Sequence, residues 1–472
     1  MHVYLLYETM VYSPSPPEKV KKLFVILLLL VSTALFAVSD NAALNTTLLP
    51  IPADAQQPGD AAKGYEYLTT GDFLKSGAPY RFFLMANGKN TANRLNRTGK
   101  NATVSHAYNV IEKDGVHMVI PTCLQCHAQV FEGQLVIGLG NTMLDFSNAG
   151  SIDFSAQMRM LKIAAPRQYA AAKPFLKSFA TVFPKIETEV RGVNAADKLA
   201  ITLVSHRDAQ TLKWSDTPLL PIPEEVIPTD VPAWWMMKKK NAMFYNGFAR
   251  GDFGKYLMLS NLLTVTDSAE AREVSSHFGD VLAYIRSIEP PKYPKEIDAQ
   301  KAETGRVVFN NNCSGCHGTY GADGKYPNLL VPLSIIQTDS ALCQGVQNSA
   351  PFIEWFKRSW FAQGANAPYI VPFNGYLAPP LDGVWITAPY LHNGSVPTLE
   401  ALLNSKLRPA YWSRTWSYDY QSIGVTYMKH DTAIRKQTYN TTLRGYSNAG
   451  HYFGDALTDD ERSAVIEYLK TL

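Results

Sequence analysis

Two Cys-x-x-Cys-His runs are the residues of this sequence with the clearest chemical potential. The first is Cys123-Leu124-Gln125-Cys126-His127, and the second is Cys313-Ser314-Gly315-Cys316-His317. In this spacing two thiols can add across the two vinyl groups of one haem, and the adjoining histidine can bind the iron as proximal ligand. The sequence therefore predicts two covalently attached haem c groups.

Two other kinds of site share the Cys-x-x-Cys pair, namely zinc sites and thiol oxidoreductases. A tetrahedral zinc site needs a second pair of ligands close by, whereas the two runs lie far apart in the chain and each has its own histidine. A thiol oxidoreductase would not need that histidine. Four of the five cysteines belong to the runs, and we interpret the fifth, Cys343, as a buried apolar residue. Haem attachment is the favoured interpretation.

The ligand opposite each proximal histidine decides whether an iron only carries electrons or also binds small molecules. For the second haem we favour His451. The preceding residues 448–450, Asn-Ala-Gly, give it a flexible approach to the haem face shortly before the terminal helix. The alternatives in this half are Met428, His430 and His392.

The first haem has weaker candidates for its sixth ligand. Met143 is the soft ligand that follows His127 most closely in the sequence, and the other candidates are His106, His117 and Tyr245. A methionine near a haem more often packs than ligates. We therefore expect this iron to be open or weakly ligated and assign the chemistry to it.

Composition fits a folded protein of two or three domains, with 472 residues, 46% hydrophobic and 18% charged. The formal net charge is +3, and no basic run is longer than Lys238-Lys239-Lys240. This balance argues against a nucleic-acid partner.

The N-terminus predicts export. Lys21-Lys22 precedes an apolar stretch, residues 23–31, and Ala37-Val38-Ser39 offers small residues for a signal peptidase. We predict a signal peptide over residues 1–39 and a periplasmic or otherwise exported, soluble protein, unless an uncleaved signal anchors it to a membrane. Residues 1–19 do not resemble the start of a signal, so translation is predicted to begin at Val20.

A proline-rich connector marks the predicted domain boundary. A helix is expected over residues 268–288, and three prolines follow within residues 290–294. The predicted organisation is an N-terminal haem domain, residues 40–290, and a C-terminal haem domain, residues 291–472.

Helices are also predicted around the second run. One covers residues 296–310 and places Gly305 and Phe309 on one face, suited to a close helix crossing. Thr458 and Glu461 form a capping box for a helix that reaches the C-terminus. Residues 281–288 repeat the pattern of residues 465–472, which indicates one haem run and one closing helix in each half.

A resemblance to a known family lies in residues 378–399, Ala-Pro-Pro-Leu-Asp-Gly-Val-Trp-Ile-Thr-Ala-Pro-Tyr-Leu-His-Asn-Gly-Ser-Val-Pro-Thr-Leu. This stretch resembles the signature of the di-haem cytochrome c peroxidase superfamily, in the form found in its rubber-oxygenase-like branch. Tyr326-Pro327-Asn328, Arg408-Pro409 and Ser447-Asn448-Ala449-Gly450-His451 resemble the same branch. The likeness covers about residues 300–472, and in the first half only the haem run and, loosely, residues 231–247.

The resemblance implies a mainly α fold of two cytochrome c-like domains with long loops, each wrapped around one covalently bound haem. It implies that His451 is the distal ligand of the second haem. It places His392 between the haems rather than on an iron, with Trp385 and Tyr390 as aromatic bridges, and these three are the candidate catalytic residues. His392 equally fits a role in which it only ties its loop down.

The predicted function is that of an exported oxidoreductase. Electrons from a small redox protein or a quinol-linked donor enter the C-terminal haem and reach the N-terminal haem, where peroxide, dioxygen or a small organic substrate reacts. The alternatives are a pure electron-transfer cytochrome or the cytochrome subunit of a larger redox complex. The chain is shorter than the rubber oxygenases, and Lys406 stands in the region of the peroxidases' methionine ligand, so a low potential is expected for the second haem. No calcium ligand cluster can be named from the sequence.

Overall fold

A computed structural model describes residues 47–151, 155–364 and 366–472. The predicted signal peptide and the start at Val20 lie outside the described residues. Residues 47–472 form one compact unit. No helix within the described ranges is both long enough and apolar enough to cross a membrane. The domain boundary predicted at residue 290 stays a prediction.

The fold mixes α and β structure, so the prediction of a mainly α fold with two cytochrome c-like domains is wrong. Of the residues that the structure describes, 40% are helical and 15% are in strands, with several sheets. Four strands flank the first Cys-x-x-Cys-His run, where Val116, Val119 and Ile120 favour extended backbone because their side chains branch at Cβ. The two longest strands lie in the second half, over residues 411–419 and 424–430. Before the second run, by contrast, the chain is helical, as predicted.

The helices of the first half are short, apart from one of 17 residues that contains Pro174. They are α1 (Ala61–Thr70), α2 (Tyr80–Asn87), α3 (Leu124–His127), α4 (Ser155–Ala164), α5 (Pro166–Val182), α6 (Ala196–Ser205), α7 (Phe253–Leu257), α8 (Ser268–Ser275) and α9 (Phe278–Ser287). The helix predicted over residues 268–288 is thus divided into α8 and α9.

The second half adds further helices, of which the first and last flank the second Cys-x-x-Cys-His run. They are α10 (Ala299–Asn312), α11 (Ser314–His317), α12 (Leu333–Ile336), α13 (Ala341–Gln347), α14 (Ala350–Arg358), α15 (Leu399–Leu403) and α16 (Asp459–Leu469). Thr458 and Glu461 form the predicted capping box at the start of α16.

The strands form small antiparallel sheets. They are β1 (Leu49–Pro50), β2 (Ala78–Pro79), β3 (Tyr108–Lys113), β4 (Val116–Pro121), β5 (Ala128–Phe131), β6 (Gln134–Ile137), β7 (Ala249–Arg250), β8 (Leu329–Pro332), β9 (Tyr369–Ile370), β10 (Gly375–Leu377), β11 (Tyr411–Asp419), β12 (Gly424–His430) and β13 (Tyr439–Asn440). Their orders are β1-β8-β10, β12-β11-β13, β2-β4-β3, β5-β6 and β7-β9.

Two hairpins enclose the first haem run. The β3–β4 hairpin turns at Asp114-Gly115, and the β5–β6 hairpin turns at Glu132-Gly133. All four of these turn residues have positive φ, the geometry of a two-residue turn that matches the twist of antiparallel strands. The run is therefore fixed by sheet structure on both sides.

Each half of the described chain contains a tight helix crossing. A Cβ added to Gly305 of α10 would lie 1.8 Å from the Ala464 carbonyl oxygen of α16, and one added to Gly64 of α1 would lie 2.0 Å from that of Asp280 in α9. Only glycine allows two backbones to approach so closely. The close crossing predicted at Gly305 is confirmed.

Candidate functional site

The two Cys-x-x-Cys-His runs fold into the same local turn. In each, the histidine N–H donates to the carbonyl of the first cysteine, at 2.9 Å from His127 to Cys123 and at 3.0 Å from His317 to Cys313. The N–H of the second cysteine donates to the same carbonyl, at 3.2 Å in both runs. The five-residue spacing thus produces one turn of helix that groups two thiols and an imidazole.

The second run opens into an apolar cavity. Cys313, Cys316 and His317 line one side of it, and its walls include Phe309 of α10 and Val465 of α16. The Nδ1 atom of His317 lies 2.8 Å from the Pro379 carbonyl oxygen. The imidazole tautomer that donates this bond keeps Nε2 free to bind a metal ion.

His451 faces His317 across this cavity. The two ring centroids are 6.1 Å apart, and both rings line the cavity. A metal–imidazole bond is about 2.0 Å long, so two imidazoles on opposite sides of one ion would have centroids about 6 Å apart. The observed separation therefore matches a metal ion held between the two histidines.

Backbone geometry and one arginine hold the His451 loop. His451 itself has a left-handed backbone, and its N–H donates to the Ile336 carbonyl at 2.7 Å. A Cβ on Gly450 would lie 2.3 Å from the backbone nitrogen of Thr338, so only glycine fits there. The Arg408 guanidinium donates to five backbone carbonyls, those of Ala401, Leu402, Asn448, Gly450 and His451. This arginine fixes the loop that presents His451.

The structure places the other ligand candidates of the second half elsewhere. Met428 and His430 lie on β12, where the Met428 side chain is 56% exposed and His430 Nε2 lies 2.7 Å from the Ser413 hydroxyl. Neither lines the cavity.

Of the candidate catalytic residues, two line the cavity and one does not. His392 is buried there and stacks on Tyr376, with ring centroids 4.1 Å apart. Tyr390 also lines the cavity, and its hydroxyl donates to the Val384 carbonyl at 3.2 Å. Trp385 lies outside the cavity, and its ring contacts Phe131 of β5, at 5.9 Å between centroids. Their predicted roles stay predictions.

The first run has different surroundings. The His127 ring stacks on Trp234, with centroids 4.6 Å apart and planes inclined by 19°. The glycine-rich loop after β6 folds back on this run, because the Asn141 N–H donates to the Cys126 carbonyl at 2.8 Å. Met143 follows in this loop, and its carbonyl accepts bonds from Arg191. The predicted role of Met143 as a ligand of the first iron stays a prediction.

The remaining ligand candidates for the first haem have other partners. His117 lies on β4 with its Nδ1 atom 3.4 Å from Glu112 of β3. Tyr245 lines the cavity of the second run and donates to Asp230 at 2.8 Å. The His106 carbonyl accepts a bond from Thr122, next to Cys123, and burial lowers the pKa of its imidazole. Tyr245 is therefore brought to the second site rather than the first.

One segment connects the two runs. Residues 230–236, here called the bridging segment, carry Trp234 against His127 and Trp235 against the second half. The Trp235 indole donates to the Asp382 carbonyl at 2.8 Å, close in the chain to the Pro379 that holds His317. The two neighbouring tryptophans belong to the two different apolar cores.

Burial keeps the site histidines neutral and the run thiols protonated. It lowers the pKa of His127 to about 4 and that of His451 to about 3, and it lowers the pKa of His317. Neutral imidazole is the form that binds metal ions. Burial also raises the pKa of Cys123 to about 12 and that of Cys313 to about 11. Thiol oxidoreductases show the opposite shift, so these thiols do not resemble redox-active pairs.

The residues of the second site fit a haem c. Two thiols and a proximal imidazole stand at one side of an apolar cavity, and the buried Nδ1 atom of His451 has no hydrogen-bond partner in the protein. At the first site, Cys123, Cys126 and His127 offer the same attachment set, next to Trp234. Within the described ranges, no group of three or more His, Cys, Asp or Glu side chains is placed to hold a metal ion by itself.

Two residues important to the second site do not emerge from the sequence. Arg408 stands out there only as part of the family resemblance, and its five carbonyl partners come from two separate segments. Asp230, a carboxyl buried in the cavity, carries no sequence signal at all. Its location before the proline-flanked tryptophan pair does not reveal it, because its neighbours come from distant parts of the chain.

Comparison with known proteins agrees with a cytochrome. Residues 375–413 match a family model described as RoxA-like, cytochrome c-like. The match supports the rubber-oxygenase-like branch of the resemblance and a haem-binding cytochrome, and it does not extend to the peroxidase superfamily as a whole.

Two curated proteins of Sinorhizobium fredii (strain NBRC 101917 / NGR234) are similar to this chain. The uncharacterized protein y4iM is 28% identical over 307 residues, which cover 56% of this chain and 68% of the relative. The uncharacterized protein y4iJ is 29% identical over 250 residues, which cover 39% of this chain and 41% of the relative.

Proposed function

We propose that the chain is an exported di-haem c-type cytochrome with two unequal iron sites. The second site, with Cys313, Cys316, His317 and His451, carries electrons. The first site, with Cys123, Cys126 and His127, binds peroxide, dioxygen or a small organic substrate. The observation that supports this proposal best is the pair of imidazoles 6.1 Å apart in an apolar cavity.

The protein's part at the second site is to hold two imidazoles rigidly and to exclude water. A haem bound there supplies a one-electron iron couple. The Pro379 carbonyl fixes the His317 ring, and Arg408 fixes the loop of His451. Two strong ligands in fixed positions change little on electron transfer, which suits a relay rather than a substrate site.

The first site lacks an equivalent opposed pair in the described ranges. The His127 ring stacks on Trp234, and the bridging segment that carries Trp234 also meets the second half through Trp235. We propose that this site leaves one face for exogenous ligands and that the two tryptophans lie between the redox centres. His392 and Tyr390 line the cavity of the second run, and Trp385 contacts Phe131 of β5, next to the first run. We propose that these three side chains orient groups between the two sites.

The proposed partners follow from the two different roles, electron transfer at the second site and ligand binding at the first. A small redox protein or a quinol-linked donor would reduce the second haem, since the chain needs an external source of electrons. The predicted signal peptide supports a periplasmic or otherwise exported location, and an uncleaved signal would anchor it to a membrane.

The test is the electronic spectrum of the ferric holoprotein together with one pair of variants. We expect one low-spin haem that ignores cyanide and one haem whose spectrum shifts with cyanide or peroxide. His451→Ala should convert the low-spin haem to a ligand-binding one, and added imidazole should restore it. His392→Ala, which removes a neighbouring ring of the same cavity, should leave the low-spin signal intact.

The spectrum also separates the alternatives. Two low-spin haems that ignore cyanide and peroxide would contradict the enzymatic part and leave an electron-transfer cytochrome, alone or as a subunit of a larger complex. A low-spin signal that survives His451→Ala but disappears in His392→Ala would contradict the ligand assignment.

A further inference from the structure

Asp230 has a buried carboxyl group in the cavity of the second run. The proposed function assigns no role to this residue. It is 7% exposed and lines the same cavity as His317 and His451. Its backbone N–H donates to the His392 carbonyl at 2.8 Å, which fixes its place at the cavity wall. The Oδ2 atom accepts a bond from Tyr245, whereas the buried Oδ1 atom has no hydrogen-bond partner in the protein. A carboxyl with an unpaired oxygen inside an apolar cavity is costly to keep charged.

The charged and titratable groups around Asp230 come from several elements. They are Tyr245, Arg414 of β11, Tyr439 of β13 and the ring of His392, which shares the cavity. Burial lowers the pKa of Arg414 to about 10, and a side-chain N–H of this arginine donates to the Thr142 carbonyl. Burial lowers the pKa of His392 to about 3, and it raises those of both tyrosines well above their ordinary value. None of these four groups changes its charge near neutral pH.

Asp230 is the group in this cluster whose charge changes near neutral pH. Burial raises its pKa to about 7, against the opposing effects of the Tyr245 hydroxyl and the Arg414 charge. Both the charged carboxylate and the neutral, protonated carboxyl are therefore populated near neutral pH. A change of charge elsewhere in the same cavity would shift the balance between them, because charges interact strongly where water is excluded.

We propose that Asp230 takes up one proton from water when the iron held by His317 and His451 gains one electron from a one-electron donor. The electron reduces ferric to ferrous iron, and the proton converts the carboxylate to a neutral carboxyl, so the net charge of the cavity is unchanged. The inference rests on the proposed function, since it requires a haem at the second site. It adds that this site couples electron uptake to proton uptake.

The coupling is reciprocal and therefore measurable as a potential. If reduction favours protonation of Asp230, protonation favours reduction, and the midpoint potential of the low-spin haem falls as the pH rises. The fall is confined to the interval between the carboxyl's pKa in the oxidised state and its higher pKa in the reduced state. Within that interval the slope of the midpoint potential against pH should approach the value for one proton per electron. Outside the interval the midpoint potential should not depend on pH.

The experiment is a spectroelectrochemical titration of the low-spin haem in the holoprotein between about pH 5 and pH 9, chosen to bracket the carboxyl's range. Asp230→Asn should abolish the slope and hold the potential at the level that the unmodified protein reaches in acid, because the amide is neutral at every pH. Asp197→Asn is the matched control. Burial raises the pKa of Asp197 to about 6, but it lies outside this cavity, so the slope should remain.

Tyr245→Phe provides a second, milder variant. The Tyr245 hydroxyl stabilises the charged carboxylate, so its removal should raise the pKa of Asp230 and move the sloping interval to higher pH. If Asp230→Asn fails to bind haem, this shift alone decides the question. An interval that does not move would overturn the proposal.

The outcomes also distinguish this inference from the proposed function. If the midpoint potential of Asp230→Asn still falls with pH, another group, such as a haem propionate, takes up the proton. That result overturns the inference and leaves the proposed function of the second site unaffected. Absence of any low-spin haem in the unmodified protein overturns the proposed function itself.

Discussion

The two Cys-x-x-Cys-His runs form the same turn, but the chain reaches them by different routes. In the second half, α10 contains the glycine of the helix crossing, Gly305, and leads straight into the run at Cys313. In the first half, the stretch between Gly64 and Cys123 is much longer and contains β2, β3 and β4. A common turn can therefore be positioned either by a helix or by a sheet.

The helix pairs themselves repeat the same arrangement. The carbonyls that face the two glycines belong to Asp280 of α9 and Ala464 of α16. A tyrosine stands one helical turn after each of these residues, and it packs on an aromatic ring of the partner helix. These tyrosines are Tyr284 and Tyr468. The ring centroids are 5.2 Å apart for Tyr284 with Tyr65 and 5.3 Å apart for Tyr468 with Phe309. The crossing is retained in both halves although the path between helix and haem run differs.

The largest expected effect is the loss of a covalently bound haem, and it should differ in its spectrum between the two sites. Replacing both Cys313 and Cys316 by Ser should remove one of two covalent haems and, with it, the low-spin spectrum. Replacing both Cys123 and Cys126 by Ser should also remove one haem but leave the low-spin spectrum in place. The measurement is haem content per chain with the absorption spectrum of each variant, and equal losses of low-spin signal would show that the sites are not distinct.

Arg408→Met tests whether the second site depends on its clamped loop. The variant leaves five buried or partly buried carbonyls without their donor, so we expect a loss of about 3 kcal/mol in the free energy of unfolding. Part of the second haem should also become high-spin, because His451 is no longer held. Chemical denaturation and the ferric spectrum check these effects, with Arg444→Met, whose side chain is exposed and pairs with Glu225, as the control. Unchanged stability in Arg408→Met would show that the loop holds itself.

The two glycines test whether the repeated crossing matters equally. Gly64→Ala and Gly305→Ala each force a methyl group into a backbone carbonyl, which should cost about 3 kcal/mol or more by overpacking. Thermal unfolding of both variants measures the cost. Thr304→Ala, at an exposed position of the same helix as Gly305, should have little effect. A large loss at one glycine and none at the other would break the equivalence of the two helix pairs.

The smallest effect concerns how each closing helix begins. The Thr458 side chain caps α16, and the Glu461 side chain accepts a hydrogen bond from the Thr458 backbone N–H. The residue before α9, His277, makes no side-chain cap. Thr458→Ala should therefore destabilise the protein by about 1 kcal/mol, and Thr458→Ser should preserve most of the cap. Denaturant titration distinguishes the two. Equal stability of both variants would mean that the cap is not a difference between the halves.

Parts of this structure follow from local sequence, and others do not. The capping box, the helix into the second run and the close approach at Gly305 were predicted, because a few neighbouring residues determine each of them. The sheets around the first run and the sheet of β11, β12 and β13 in the second half were missed, and the fold class was predicted wrongly as a result. Asp114-Gly115 between two β-branched stretches was an available signal, since such a pair is typical of a two-residue hairpin turn.

The sequence by itself determined the chemical groups and their local turns. Two thiols and a histidine at fixed spacing fold into one helical turn in both runs, because the bonds involved join residues only three or four positions apart. Only the tertiary structure decided what surrounds each turn. His451 comes to face His317, Asp230 enters the same cavity, and Trp234 stacks on His127 through the packing of segments that are distant in the chain. Burial in that packing, rather than residue type, keeps the imidazoles neutral and brings the carboxyl of Asp230 into the range where it can exchange a proton.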